Sequence, residues 1–237
     1  MKHFWLILFL ILFVTCEDKD TNDKTPVEQD VMLETLVTDL TNPWGLAFLT
    51  DGSLLITERP GKILHYDNGT VEIVVGVPDI IAVGQGGMLD IAAHPNFADN
   101  KLIYFTASVG SSSAFSTALF KGKFESNQLQ DVKKLFQTDI KNNEDKHFGS
   151  RIVFDKDGFI FVSFGERGNS NSAQDLSNHN GTIIRLTDIG EVPQDNPFVL
   201  NTNAKPEIWS YGHRNVQGLA LHPITGELWS HEHGPKG

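Results

Sequence analysis

Short alternating runs of hydrophobic and polar residues, each interrupted by a turn signal, recur along most of the chain. The first covers residues 42–58, where two apolar stretches flank Asp51 and Gly52. Two short strands joined by an Asp-Gly dipeptide are the signature of a β-hairpin. The same pattern predicts three further hairpins, within residues 86–106, 149–163 and 215–230. No segment carries the 3.6-residue period of a long helix, so the pattern predicts an all-β fold.

The spacing of these hairpins indicates how they are arranged. The equivalent positions Leu46, Leu89, Ile152 and Leu219 are separated by 43, 63 and 67 residues. This is the length of a four-stranded propeller blade with its loops. A β-sandwich or a β-barrel is the alternative, but neither repeats a strand-turn-strand pattern at this interval. The spacing therefore favours a β-propeller, of which residues 31–237 supply about four blades.

A propeller must close its ring, because an open ring leaves sheet edges exposed. The last hairpin is followed almost at once by Gly237, where the sequence ends. We therefore expect this chain to be an N-terminal piece of a longer protein. We also expect the isolated piece to be inactive, because an open ring would lack part of any site on the propeller axis.

The first 30 residues have a different pattern. Lys2 and His3 precede an uninterrupted apolar run over residues 4–14. Eleven residues are too few for a membrane-spanning helix, which needs about 20, so the run predicts an export signal. Cys16 follows, and residues 1–16 resemble a bacterial lipoprotein signal in which this cysteine is lipidated. Residues 17–30 are polar and predict a disordered tether.

Two alternatives stay open for this N-terminal segment. Thr15 stands where Gly, Ala or Ser usually precedes the lipidated cysteine. Ordinary secretion and a free cytosolic Cys16 are therefore alternatives to lipidated export. The leading expectation is a protein exported to the periplasm or cell surface and attached to a bacterial membrane through lipid.

Composition excludes several classes of protein. Of the 237 residues, 40% are hydrophobic and 21% are charged, a normal balance for a globular domain. The 19 Lys and Arg residues against 30 Asp and Glu residues leave a formal charge of −11. Such a charge repels a phosphate backbone, so nucleic acid is not an expected partner. One cysteine excludes a disulfide scaffold.

Candidate chemistry lies in the loops that flank the predicted hairpins, because a rigid propeller can aim loop side chains towards its axis. Each of these loops places polar side chains or bare backbone directly beside a strand. They cover residues 84–87, 146–151, 211–215 and 232–235.

Together these loops resemble those of the soluble glucose and aldose sugar dehydrogenases that depend on pyrroloquinoline quinone (PQQ). The resemblance covers roughly residues 40–237 and rests on five motifs in one order. They are Gly-Gln-Gly-Gly at 84–87, His-Phe-Gly-Ser-Arg-Ile at 147–152, Gly-Glu-Arg-Gly at 165–168, Trp-Ser-Tyr-Gly-His-Arg-Asn-Val-Gln-Gly at 209–218 and Glu-His-Gly-Pro at 232–235. The resemblance implies a six-bladed β-propeller and the oxidation of an aldose at its anomeric carbon to the lactone.

The resemblance also implies roles for individual residues. His147 would be the catalytic base that takes the proton of the anomeric hydroxyl while hydride passes to the quinone. Glu166 would orient His147. Arg214 would contact the cofactor and stabilise charge on the quinone during reduction, Asn215 would contact the cofactor, and Gln85 would contact substrate or cofactor.

The resemblance places a calcium ion on backbone carbonyl oxygens. Gly234 and Pro235 would hold Ca²⁺, a hard cation that prefers oxygen ligands and can polarise the quinone carbonyl. The electron acceptor, the sugar and the oligomeric state are not implied.

Two departures from the family pattern bear on function. Glucose-type members carry an acidic residue directly before the catalytic histidine, whereas Lys146 stands there in this chain; this puts the breadth of sugar substrates in question. The cofactor carries three carboxylates, and Arg214 is the principal cation that the motifs assign to it.

Two other functions are compatible with a propeller. One is a calcium-dependent lactonase, whose axial metal would be held by Glu, Asn and Asp side chains. The other is a propeller that binds a partner and performs no chemistry.

Overall fold

The computed structural model describes residues 31–139 and 142–234. Residues 31–35 have no regular secondary structure, and the strands below lie in the compact unit Leu36–Gly237. In the described residues the strands are β1 Pro43–Phe48, β2 Leu54–Glu58, β3 Lys62–Asp67, β4 Thr70–Ile73, β5 Met88–Ala93, β6 Leu102–Ser111, β7 Ala114–Glu125, β8 Gln128–Gln137, β9 Ile152–Phe154, β10 Ile160–Phe164, β11 Thr182–Leu186, β12 Ile208–Tyr211, β13 Val216–Leu221 and β14 Leu228–Glu232. One α-helical turn, α1, covers Phe97–Asn100, and a 3₁₀ turn covers Ser170–Gln174.

The strands form three four-stranded antiparallel sheets and a two-stranded one. Their orders are β1-β2-β3-β4, β5-β6-β7-β8, β9-β10-β11-β12 and β13-β14. Each sheet is a meander in which neighbours in sequence are neighbours in space, the arrangement of a propeller blade. The described residues therefore build three complete blades and the first hairpin of a fourth, which confirms the prediction of a partial β-propeller with about four blades.

The four predicted hairpins are confirmed as the first two strands of each blade. In the first, β1 and β2 pair from Pro43 with Glu58 to Phe48 with Leu54, with an irregularity between Pro43 and Leu46. Gly52 lies in the connecting turn with φ 90°, a conformation that favours glycine. The sequence pattern missed the outer two strands of the three complete blades. The outermost strands, such as β8, are largely polar and exposed, so their apolar alternation is weak.

Hydrophobic cores lie between successive blades, so both faces of the second and third sheets are covered. In β6, Ile103 and Phe105 pack towards the first blade, with Leu55 and Ile63. The intervening Tyr104 points to the other face, where it joins the core shared with the third blade. Alternate residues of one strand thus belong to two cores, as the two-residue period of a strand requires.

The first strands of the blades lie next to one another around a common axis. β1 contacts β5, β5 contacts β9, and β9 contacts β13. Arg151, just before β9, connects them: its guanidinium lies 4.2 Å from the ring centre of Trp44, and its Nη1 donates to Asp90 Oδ1 at 3.1 Å. Its Nε donates to the carbonyl oxygen of Gln217 at 2.7 Å. Burial raises the pKa of Asp90, against the influence of Arg151.

Candidate active site

Four loops at one end of the inner strands are joined by hydrogen bonds that cross between blades. The His147 amide donates to Gln85 Oε1 at 2.8 Å, and the Gly149 amide donates to Asn215 Oδ1 at 2.9 Å. The Glu166 amide donates to the carbonyl oxygen of Arg214 at 2.9 Å. The structure therefore brings together the backbones of all four segments in which sequence motifs predicted His147, Glu166, Gln85, Arg214 and Asn215.

His147 and Glu166 form a hydrogen-bonded pair. His147 Nδ1 lies 2.9 Å from Glu166 Oε1, and both side chains are largely buried. The other carboxylate oxygen, Oε2, accepts the amide hydrogen of Gly168. Because both oxygens of Glu166 are engaged, the carboxylate is held in one orientation. An Nδ1–H that donates to Glu166 leaves Nε2 as the basic nitrogen of the neutral ring.

The backbone at His147 is in a conformation that side chains rarely adopt. Its φ is 58°, and Ser150 in the same loop has φ 86°. A positive φ is energetically unfavourable for a non-glycine residue, which keeps it only when surrounding contacts stabilise that conformation. Close approaches of backbone supply part of that support: a Cβ at Gly165 would lie 2.1 Å from the carbonyl oxygen of His147. Position 165 therefore has to be glycine for the loop to take this place.

Arg214 and Asn215 are positioned by Glu232. The amide groups of both residues donate to Glu232 Oε2, at 2.6 Å and 2.8 Å. His213 Nδ1 lies 3.4 Å from the other carboxylate oxygen. Asn215 is buried, whereas Arg214 is exposed. The sequence motif at 232–235 predicted roles for Gly234 and Pro235. In the structure its first residue, Glu232, holds the loop that contains Arg214 and Asn215.

A cavity of about 320 Å³ lies beside these loops. Its volume is at the lower end of the range for small-molecule sites, about 300 to 1,000 Å³. It contains two predicted site residues, Gln85 and Asn215, and one cation that sequence analysis missed, Arg59. Its lining includes Trp44, Arg59, Gln85, Phe148, Asn215 and His233.

Arg59 follows β2 directly and faces the first of the motif loops. Its Nη1 donates to the carbonyl oxygen of Gly84 at 2.7 Å and to that of Gly86 at 3.2 Å. Its position just after the predicted strand end at Glu58 was the available signal in the sequence. A larger cavity, about 580 Å³, lies between the first two blades near His65 and Phe124 and contains none of the predicted site residues.

Some predictions concern residues that the structure does not describe. Cys16 and the rest of residues 1–30 lie outside the described part, as does Pro235. Gly234 is described and exposed. Within residues 31–139 and 142–234, no group of three or more His, Cys, Asp or Glu side chains is arranged to hold a metal ion. In the same part of the chain, no helix is long and apolar enough to cross a bilayer.

The blades and the site together define a class: a partial β-propeller with a histidine–glutamate pair near a cavity that is lined by Arg59 and by the side-chain amides of Gln85 and Asn215. The chain belongs to the Glucose / Sorbosone dehydrogenase family, which it matches over residues 40–237. This confirms the family resemblance inferred from the five motifs.

Individual relatives agree with this membership. The chain is 42% identical over 213 residues to the aldose sugar dehydrogenase YliI of Escherichia coli, covering 87% of this chain and 57% of that protein. The crystal structure of the soluble aldose sugar dehydrogenase from Escherichia coli in the apo-form superposes with a TM-score of 0.83 at 41% identity, covering 86% of this chain and 60% of that one. The PQQ-bound aldose sugar dehydrogenase from Streptomyces coelicolor superposes with a TM-score of 0.72 at 32% identity, covering 84% and 58%. The chain thus spans somewhat more than half the length of these relatives.

Proposed function

We propose that the complete protein is a PQQ-dependent sugar dehydrogenase that oxidises an aldose at its anomeric carbon to the lactone. The observation that carries this proposal is the His147–Glu166 pair, at 2.9 Å, tied through backbone hydrogen bonds to loops that line an axial cavity. Family membership favours this function over a lactonase or a purely binding propeller.

In this proposal His147 acts as the base. Nε2 accepts the proton of the anomeric hydroxyl, and Nδ1–H donates to Glu166, which stabilises the imidazolium that forms. The arrangement needs no movement of Glu166, since its second oxygen is already held by the Gly168 amide. Within the described part of the site, no residue makes a hydrogen bond to Nε2 of His147, so this nitrogen is available to a substrate.

The residues around the cavity fit an anionic planar cofactor. PQQ supplies an acceptor for the hydride that leaves the sugar. Arg59 adds a guanidinium to the cavity wall beside the amide of Gln85, and guanidinium groups bind carboxylates strongly. Arg214 is exposed at the neighbouring loop and would provide the second cation, with Asn215 as a further contact.

The proposal includes Ca²⁺ at the carbonyl oxygens of Gly234 and Pro235. Carbonyl ligands suit this ion. We expect a chelator that removes Ca²⁺ to abolish sugar oxidation and added Ca²⁺ to restore it. Full activity in the metal-free protein would remove calcium from the proposal.

Reconstitution of the complete protein tests the function. Purified protein is loaded with PQQ and Ca²⁺, and dye reduction is measured with a panel of aldoses; we expect reduction that depends on both sugar and PQQ. Parallel samples without PQQ receive sugar lactones. Lactone hydrolysis without sugar-dependent dye reduction would favour the lactonase, and neither activity would favour a binding propeller.

We also propose that the protein is exported and anchored through a lipid on Cys16. The support is the eleven-residue apolar run that ends before this cysteine. Incorporation of labelled fatty acid into the wild type and release of Cys16→Ser from the membrane fraction are the expected results. A wild type that never incorporates label would refute lipidation.

A further inference from the structure

The loop that carries His147 has no regular secondary structure of its own. The segment 143–151 contains no strand or helix, and two of its non-glycine residues, His147 and Ser150, have positive φ. Its place is therefore determined by contacts with other segments. A base that acts at hydrogen-bond range is sensitive to such contacts, because a displacement of about 1 Å can cost about 10²-fold in rate.

The Arg167 guanidinium makes several of these contacts. Arg167 is 4% exposed, and its Nε donates to the carbonyl oxygen of Lys146 at 3.2 Å. Nη2 donates to the carbonyl oxygen of Glu144, and Nη1 lies 3.5 Å from that of Phe115. Two of the three carbonyls belong to the segment that leads directly into His147.

The guanidinium also holds the residue that follows His147. Its central carbon lies 4.0 Å from the ring centre of Phe148 and 5.2 Å from that of Phe115. The two rings stack on each other, with centres 5.9 Å apart and planes within 7°. Arg167 therefore contacts the loop on both sides of His147, through backbone on one side and an aromatic ring on the other.

Because Arg167 is a buried cation, packing alone does not explain its presence at this position. Within the described residues, no carboxylate lies within ion-pair distance of its guanidinium. Burial lowers the pKa of Arg167 to about 10, while the charges of Glu144, Asp145 and Glu166 act in the opposite direction. The side chain is thus still cationic at neutral pH, and a buried cation is unfavourable unless its N–H groups donate hydrogen bonds. Here they donate to carbonyl oxygens, two of which belong to the His147 loop.

We propose that Arg167 is a positioning residue that fixes His147 relative to Glu166. Glu166 holds the imidazole ring, and the next residue, Arg167, holds the backbone that carries it. Two adjacent residues, Glu166 and Arg167, therefore contact the His147 ring and its backbone segment, respectively. These two contacts determine the distance between the His147 ring and the Glu166 carboxylate. The consequence for catalysis rests on the function proposed above, whereas the consequence for loop order does not.

Arg185 provides a matched control. It is also buried, at 7% exposed, and its guanidinium lies 4.0 Å from the ring centre of Phe159 and 5.1 Å from that of Trp209. It pairs with Asp195 at 3.0 Å and makes no hydrogen bond to the loop of residues 143–151. Its substitution removes a buried, ring-stacked arginine without touching the His147 loop.

The experiment compares Arg167→Met and Arg167→Lys with Arg185→Met in the complete protein. Amide hydrogen exchange is followed by mass spectrometry in the absence of sugar and cofactor. We expect exchange in peptides covering 143–151, which contain the bonded amides of His147 and Gly149, to rise about tenfold or more in both Arg167 variants, as expected when local opening becomes easier. In Arg185→Met this region should exchange as in the wild type.

Kinetics supply the second measurement. With PQQ and Ca²⁺ loaded, Arg167→Met should lower kcat about 10²-fold with little change in KM for the sugar, and Arg185→Met should leave kcat near the wild-type value. Wild-type exchange and kcat in Arg167→Met, or an equal rise in exchange in the Arg185 variant, would overturn the proposal. If Arg167→Met does not fold, Arg167→Lys, which keeps the charge and loses the planar fork, decides by the same criteria. If the wild type shows no dehydrogenase activity, the exchange result still decides the positioning role.

Discussion

His147 and His179 each pair with a glutamate, but their surroundings differ. His147 bonds Glu166 through Nδ1 alone. His179 is 3% exposed and has both nitrogens engaged, Nδ1 with Asp139 at 2.7 Å and Nε2 with Glu207 at 2.6 Å. A base needs one nitrogen available to substrate, so the first arrangement suits catalysis. The second suits a structural contact.

The His179 contact joins two blades. Asp139 follows β8 of the second blade, whereas His179 and Glu207 precede β11 and β12 of the third. Burial opposes the charged ring, but the bonds to Asp139 and Glu207 prevail and raise the pKa of His179. The hydrogen bonds from His179 and Lys205 hold the pKa of Asp139 well below its usual range despite burial. The difference between the two histidines is therefore a matter of how many carboxylates each one meets.

Replacing His147 should have the largest effect. In the complete protein, His147→Ala should lower kcat by about 10²-fold or more, the usual size of a general-base contribution, while PQQ still binds. Dye reduction measures the first and absorbance titration with PQQ the second. His179→Gln is the control and should keep kcat near the wild-type value; a His147 variant with normal turnover would remove this residue from the mechanism.

Replacing Glu166 and Glu207 in turn distinguishes a carboxylate that orients the catalytic base from one that serves a structural contact. Glu166→Gln keeps an acceptor for His147 but loses the charge, and a charge-assisted hydrogen bond is worth about 1.5–3 kcal/mol. We expect kcat to fall about 10- to 100-fold, since about 1.4 kcal/mol corresponds to tenfold. Glu207→Gln should leave kcat unchanged. Equal kinetic effects of the two substitutions would contradict the contrast.

Loss of His179 should appear in stability. His179→Gln leaves Glu207 buried without its ionic partner, whereas Asp139 is partly exposed and keeps Lys205 at 2.8 Å. Breaking a buried pair costs about 3–5 kcal/mol, and partial exposure reduces this, so we expect a loss of about 2 kcal/mol. Urea unfolding at pH 6 measures it. An unchanged midpoint would show that the contact does not stabilise the fold.

The pH dependence of stability should show the smallest effect. A raised pKa for His179 means that its contribution is fully present below its usual value of 6.5 and is lost as pH rises through the folded-state pKa. The pKa values of Asp139 and Glu207 are lowered, so their contribution to stability has the opposite pH dependence: it is lost as pH falls below about 4. Unfolding midpoints from pH 4 to 9 should therefore show an alkaline decline that is smaller in His179→Gln. Parallel curves for the two proteins would contradict this assignment.

Local features of the chain were sufficient for the inner half of each complete blade. The hairpin around Asp51 and Gly52 is encoded by neighbouring residues, since apolar alternation and a turn dipeptide act over short range. The outer strands were not predicted, because β8 is polar on its exposed side and gains its place by pairing with β7. Pairing between strands is a property of the folded sheet.

The resemblance of the five motifs to a known family assigned roles to His147, Glu166, Gln85, Arg214 and Asn215. Each of these residues lies in a loop next to a strand end, where a rigid blade can direct a side chain towards the axis. What those side chains contact depends on segments up to 66 residues apart, as with the Gly149 amide and Asn215. Arg59, Glu232 and Arg167 acquire their roles only through such contacts: a cavity wall, a pair of loop amides and the backbone of the His147 loop. Sequence spacing specifies which residues can reach a strand end, whereas the packing of one blade on the next decides which of them meet.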